Sequence, residues 1–185
     1  GTPALLVDNV GGADTMVRHL LATGRRNIAH IAGPAGNLDA EERLAGFRLS
    51  MRRHAGIDQP LVLPGDFTEE AGAAAARALI AGRQRIDAVF AANDLSALSI
   101  VRVATERGLR VPDDLSVVGF DDVPEAARAQ PPLTTVRQPM KLLGAEAVRI
   151  VLALLAGEEL PETHLQLATR LVARGTTAPP RSRQP

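Results

Sequence analysis

The 185-residue chain contains no cysteine, tryptophan or tyrosine. Without cysteine there can be no disulfide staple, thiol nucleophile or thiolate zinc site, and a reducing compartment is permitted but not required. The aromatic set is reduced to four phenylalanines, so a phenylalanine in a polar turn stands out. A surplus of either charge is also missing, since 21 Lys+Arg balance 21 Asp+Glu. The chain is therefore no bulk binder of polyanions. No apolar run approaches the roughly 20 residues that a membrane span requires. Apolar residues at 45% and charged residues at 23% are ordinary globular proportions. They suit one compact domain, or two small lobes sharing a core. Lys141 is the only lysine, and the abundance of arginine and alanine reads as compositional bias.

Reaction motifs are scarce too. There is no Gly-x-x-x-x-Gly-Lys-Ser/Thr loop, no Gly-x-Gly-x-x-Gly after a strand, no His-Glu-x-x-His and no Gly-x-Ser-x-Gly elbow. His19, His30, His54 and His164 lie far apart without ligand spacing, so no metal site is expected and they read as structural or surface residues. Glu41-Glu42 and Asp113-Asp114 sit where carboxylates favour helix starts or turns. Gly1-Thr2-Pro3 runs directly into an apolar strand, without an initiating Met or a signal pattern, which leads us to expect a fragment or a processed product.

What is present is an alternation of strands and helices. Ala4 to Val7 reads as a strand, Gly11 to Thr23 as a helix closed by Gly24, and Asn27 to Ala32 as a strand broken at Gly33-Pro34-Ala35-Gly36. Asp39, with Glu42 three residues on, reads as the N-cap of a helix running to Gly56. A strand at Leu61 to Leu63 precedes an alanine-rich helix from Glu69 to Ala81. Ile86 to Ala92 and Leu115 to Phe120 are buried strands flanking a helix from Asp94 to Arg107. Pro131-Pro132 leads an extended crossing into Leu133 to Val136, Pro139 opens a helix over Met140 to Leu155, and two short strands follow at His164 to Ala168 and Leu171 to Ala173. Nearly continuous apolar strands separated by helices of about 10–15 residues call for a parallel sheet covered on both faces. The expected class is α/β, doubly wound, and ligands in such sheets bind beyond the carboxyl ends of the strands.

Four positions meet that criterion. Asn93 follows the strand ending at Ala92, with Asp94 beside it as a helix N-cap. Asp121 follows the strand ending at Phe120, and a carboxylate there can accept two hydrogen bonds from neighbouring hydroxyls, as on a sugar. Arg43 places a five-donor fork in the first turns of its helix, an unfavourable end for a cation unless an acceptor is near. Phe67 stands in a polar turn as a candidate stacking platform. Each has a plainer alternative as a cap, a loop anchor or a salt-bridge partner.

The segments Arg43-Leu44-Ala45-Gly46-Phe47, Gly65-Asp66-Phe67-Thr68, Ala91-Ala92-Asn93-Asp94, Ser116-Val117-Val118-Gly119-Phe120-Asp121-Asp122 and Pro131-Pro132-Leu133-Thr134-Thr135-Val136 resemble, in order and spacing, the effector-binding domain of LacI/GalR-type transcriptional repressors. The resemblance runs from about Ala4 to Thr177. It implies a periplasmic-binding-protein-like fold of type I, with two doubly wound lobes joined by three crossovers near Gly33-Pro34, Val136 to Gln138 and Thr163 to Leu165. Residues 1–33 and 139–163 would form part of the N-terminal lobe, left incomplete, and residues 34–137 and 164–177 the C-terminal lobe. Residues 178–185 would be a disordered tail, and the helix-turn-helix DNA-binding domain would lie outside the chain. Carried over by position, Arg43 resembles the arginine that clamps effector hydroxyls or a carboxylate, Asp121 the acceptor at the cleft floor, Asn93 a polar cleft residue, Phe67 the stacking aromatic and Gln138 a crossover residue beside the effector. Arg25 departs from the family pattern in what reads as a surface turn, without functional consequence.

The resemblance implies binding without catalysis and without a cofactor. It points to a sugar or similar metabolite as effector, operator DNA engaged only through the missing domain, a homodimer, no membrane and a cytoplasmic setting. Exposed sheet edge in the incomplete lobe would favour dimerisation or aggregation. Two rivals share some of these features: a periplasmic or extracellular sugar-binding protein of a transport system, and a carbohydrate-active enzyme using Asp121 and Asp94 as paired carboxylates roughly 5–9.5 Å apart.

Overall fold

The computed structural model describes residues 3–158 and 164–178. The strands are β1 (Ala4–Val7), β2 (Ile28–Ile31), β3 (Val62–Leu63), β4 (Ala88–Ala91), β5 (Ser116–Val118), β6 (Thr135–Arg137), β7 (His164–Leu167) and β8 (Arg170–Val172). The helices are α1 (Asn9–Ala22), α2 (Leu38–Ser50), α3 (Glu69–Ala81), α4 (Asp94–Glu106), α5 (Pro124–Arg128) and α6 (Met140–Leu155). α2 continues into a π-helical turn, Met51–Ala55, which ends at Gly56 with φ of 69°, a left-handed closure that glycine adopts at least cost.

A four-stranded parallel sheet in the order β3-β2-β4-β5 forms the centre. Side chains alternate along β4, so Ala88 and Phe90 join a cluster with Met16, Val17 and Leu20 of α1 and Phe47 of α2. Val89 and Ala91 join Ala73 and Ala76 of α3 and Ala97 and Ile100 of α4. Burying both faces explains why these strands are continuously apolar. Single bridges from Val118 to Thr134 and from Asp121 to Arg137 carry the sheet on to β6, which pairs antiparallel with β8. A separate parallel pair, β1 with β7, packs with α6. None of the α6 residues is buried, and Met140, Leu152 and Leu155 are among its exposed apolar side chains.

The lobe boundaries differ from expectation. Residues 1–33 do not form one unit: β2 is hydrogen-bonded between β3 and β4, and α1 supplies one wall of the same core. Only β1 stays with α6 and β7. The first crossing therefore falls at Asp8, between β1 and α1, and not at Gly33-Pro34. The third falls at Ala168-Thr169, between β7 and β8, and not at Thr163 to Leu165. The physical reason is that Met16, Val17 and Leu20 find their apolar partners under the central sheet. Asp8 N donates to Leu167 O at 2.9 Å and Thr169 Oγ1 donates to Asp8 O at 3.3 Å, so these two crossings run side by side.

Local corrections follow the same logic. Asn37, not Asp39, caps α2, its side chain accepting from Ala40 N at 3.0 Å. Asn93, not Asp94, caps α4, accepting from Ser96 N at 3.0 Å. The short helix α5 was not expected. Arg25 is buried, with Nη2 donating to Pro112 O at 2.6 Å and to Ala178 O at 3.3 Å, so it is a tie between segments and not a surface turn residue. The expected tail falls, from residue 179 onward, outside the described residues, as do residues 159–163 of the expected N-terminal lobe.

Candidate functional site

Each strand of the central sheet delivers a loop to the same edge: Gly33 after β2, Gly65 to Phe67 after β3, Asn93 after β4 and Asp121 after β5. Together with the first turns of α2 and the residue after β6, these loops enclose an open cleft of ≈ 210 Å³ lined by Asp39, Arg43, Phe67, Asn93, Asp121 and Gln138. All five residues singled out in the sequence thus meet in one place, separated by up to 95 positions along the chain (138 − 43).

Arg43 is buried and its fork is heavily engaged. Nε donates to Asn9 Oδ1 at 2.9 Å, Nη1 donates to Ala92 O at 2.7 Å, and Nη1 lies 3.3 Å from Asp121 Oδ1. The guanidinium carbon sits 4.0 Å from the centre of the Phe120 ring and 5.8 Å from that of Phe67, within range of cation–π attraction. Burial pulls the Arg43 guanidinium below its ordinary value, while the carboxylates of Asp121 and Asp39 pull it back, and an arginine here stays charged. These acceptors are what make a cation tolerable in the first turns of α2.

Asp121 marks the floor. Gln138 Nε2 donates to its Oδ1 at 2.6 Å, and its backbone N donates to Val136 O at 2.8 Å. Burial pushes the carboxyl above its usual range, opposed by Arg43 and Gln138. Asp121 and Phe67 of the lining have φ of 119° and 72°, and the neighbouring Asp122 has 62°, all positive values that non-glycine residues rarely adopt. Phe67 stands over Gly33, where an added Cβ would lie 2.4 Å from its ring. Asn93 is both cap and tether: Nδ2 donates to Phe67 O at 2.9 Å, fixing the aromatic turn.

Several contributors were not legible as cleft residues. Asn9 immediately follows β1 and Asp8, so the strand-end rule that selected Asn93 and Asp121 also selects it. Phe120 looks like core in the sequence and is core, yet its ring is the bed on which Arg43 rests. Asp39, read as a cap, lines the cleft because the cap lies two residues earlier. Asp94 was read as a cap or as half of a catalytic pair, and it is neither. It is fully buried beneath the floor, accepting from Thr135 Oγ1 at 2.6 Å and from Val123 N at 2.9 Å. A carboxylate so engaged is absent from the cleft lining and cannot face Asp121 across a sugar. Beside it, Asp122 is held by Arg137 Nε and by Arg174 Nη2, the latter at 2.6 Å. Among the described residues no group of His, Asp or Glu is placed to hold a metal, and no helix is long and apolar enough to cross a membrane.

A doubly wound sheet bearing a polar cleft at its carboxyl edge, bounded by strand crossings into a second α/β unit, defines a small-molecule-binding domain of the periplasmic-binding type. The comparisons agree. Residues 17–177 match the family described as periplasmic binding protein-like domain. The HTH-type transcriptional regulator CelR of Thermobifida fusca is 43% identical over 170 residues, 91% of this chain and 50% of that protein. The structure of the CelR–cellobiose complex has a TM-score of 0.89 at 41% identity, covering 95% of this chain and 54% of that one. A dimeric Lac repressor with a C-terminal deletion also has a TM-score of 0.89, at 35% identity, covering 95% of this chain and 64% of that one. The chain belongs to the periplasmic binding protein-like family, in the form carried by LacI/GalR-type transcriptional regulators. It spans about half the length of the curated relatives it matches.

Proposed function

We propose that this chain is the effector-sensing part of a ligand-controlled transcriptional regulator, a repressor that binds a sugar or similar small polyhydroxy metabolite in the cleft between two lobes. The observation that carries the reading is the convergence of Arg43, Phe67, Asn93, Asp121 and Gln138 on one cleft. Hydroxyl groups would donate to Asp121, the Phe67 ring would cover an apolar face of the ligand, and Gln138 would report occupancy to the crossing strand β6. No bond is made or broken. A ligand touching both lobes stabilises the closed arrangement only by its differential affinity for it, and in a full-length cytoplasmic dimer that shift would re-space DNA-binding heads. A coupling of about 1–3 kcal/mol changes operator affinity roughly 5- to 150-fold. The relatives CelR and Lac repressor, a regulator and a repressor by name, favour this reading over solute capture for transport.

The test uses the full-length protein to select DNA from a random pool, followed by titration of the selected duplex with a panel of neutral mono- and disaccharides. A sugar that shifts DNA affinity at least fivefold supports the reading. Failure to select any DNA, with sugar binding intact, would assign the domain to transport or another capture role.

A further inference from the structure

The lining of the cleft makes a statement about charge that rests on the effector-binding reading and goes beyond it. Asp39 and Asp121 bring two carboxylates, and Arg43 brings the sole cation of the lining. The charge of that cation is already matched within the lining, since Nη1 lies 3.3 Å from Asp121 Oδ1. Its Nε and Nη1 are taken by Asn9 and by the Ala92 carbonyl, Nη1 also faces Asp121, and its flat face is covered by Phe120. Asn9 continues the chain of contacts, because its Nδ2 donates at 2.9 Å to Asp39 Oδ1 and at 2.9 Å to Glu42 Oε2. The result is a relay from Asp121 through Arg43 and Asn9 to Asp39, in which one buried guanidinium orients two carboxylates. Asn9 is buried and Asp39 is exposed to the cleft, so the anchored end is rigid and the recognising end meets solvent. Asp39 also lies in the first turn of α2, so the positive end of that helix, a place where a ligand phosphate could otherwise settle, already has its carboxylate.

We infer that Asp39 is a specificity-determining residue: its carboxylate accepts ligand hydroxyls and repels acidic groups, so the cleft selects uncharged polyhydroxy effectors over their phosphorylated or carboxylated counterparts. Hydroxyls donate to carboxylates in charge-assisted bonds, whereas a phosphate or uronate would meet Asp39 and Asp121 with Arg43 already matched.

The experiment is isothermal titration of the full-length protein and its Asp39→Asn and Asp39→Ser variants. The probes are D-glucose, D-ribose and cellobiose, set against glucose 6-phosphate, ribose 5-phosphate and glucuronate. The wild type is expected to bind a neutral sugar at least about tenfold more tightly than its acidic counterpart. In both variants the neutral sugar weakens and the gap closes to within about threefold, with unchanged unfolding midpoints showing that the fold is intact. Equal or tighter binding of the acidic probes by the wild type overturns the Asp39 assignment, as does an unchanged ratio in the variants, while leaving the effector-binding reading in place. Absence of binding by every probe, neutral and acidic, overturns the sugar reading and the assignment with it.

Discussion

Gln138, at the end of the crossing strand β6, donates a 2.6 Å hydrogen bond from Nε2 to Oδ1 of Asp121 on the cleft floor. Its backbone N–H also points to Asp121 O at 3.4 Å. The floor of the cleft and a strand that leads out of the central sheet are thus joined at one pair of residues. A ligand that engages Asp121 necessarily acts on the junction as well, which is the geometry a sensing domain requires.

Arg43 should prove structural and functional at once. Arg43→Ala leaves Asn9 Oδ1 and Ala92 O without their donors and Asp121 without its counter-charge, at a cost of about 2–3 kcal/mol in urea unfolding. Arg43→Lys, a point charge without the fork, should recover part of the stability and little of the ligand-induced stabilisation.

The Phe67 wall can be moved without touching Phe67. Gly33→Ala places a methyl 2.4 Å from the ring and 2.7 Å from Cβ of the buried Ala40, so the half-exposed Phe67 turn and the start of α2 must both give. Sugar affinity should fall about 3- to 10-fold in both Gly33→Ala and Phe67→Ala, the range expected for a lost aromatic contact. Calorimetric titration checks it, and unchanged affinity in Phe67→Ala would contradict a role for the ring.

Two buried groups should give the chain opposing pH dependences. Burial pushes the Asp94 carboxyl up to about 7, against an unfolded value near 3.8, so the folded state holds the extra proton and this group's stability contribution is lost as pH rises from about 4 to 7. Burial between Phe47 and Phe90 pushes the His30 imidazole down to about 3 from 6.5, so its contribution is present above pH 6.5 and lost as pH falls toward 3. In the wild type the two slopes oppose each other between pH 4 and 6.5. His30→Phe should leave stability falling with pH in that window and Asp94→Asn should leave it rising, each by up to about 1.4 kcal/mol per pH unit. Urea unfolding from pH 4 to 7.5 reads both slopes.

The join at Asp122 should depend unequally on its two arginines. Arg174 is largely buried and also donates from Nη1 to Leu133 O at 2.8 Å, whereas Arg137 is 44% exposed. Arg174→Ala should cost about 2–3 kcal/mol and Arg137→Ala under about 1 kcal/mol, measured as unfolding midpoints.

Much of this architecture was legible because it is written in local pattern. α3 and α6 fall where apolar spacing, Gly82 and Gly157 place them, and the strand-end rule found Asn93 and Asp121. Lobe membership was not legible, because α1 has an apolar stripe that would suit either lobe, and only the packing of Met16 and Leu20 beneath Phe90 decides. Asp39 was misread for a related reason: Asn37 and Asp39 are both good capping residues, and their choice depends on where the loop from Gly33 enters. Phe120 serves the site through Arg43, a dependence across 77 positions that no spacing encodes, whereas Asn9 stands just past the end of β1, where the same strand-end rule reaches it.

The most direct measurement is thermal unfolding of the full-length protein and its Asp121→Ala variant across rising concentrations of neutral mono- and disaccharides. A sensing cleft floored by Asp121 predicts that at least one sugar raises the midpoint of the wild type in proportion to the logarithm of its concentration, and that the rise disappears in Asp121→Ala. An equal rise in both proteins would place the ligand elsewhere and contradict the assignment of this cleft.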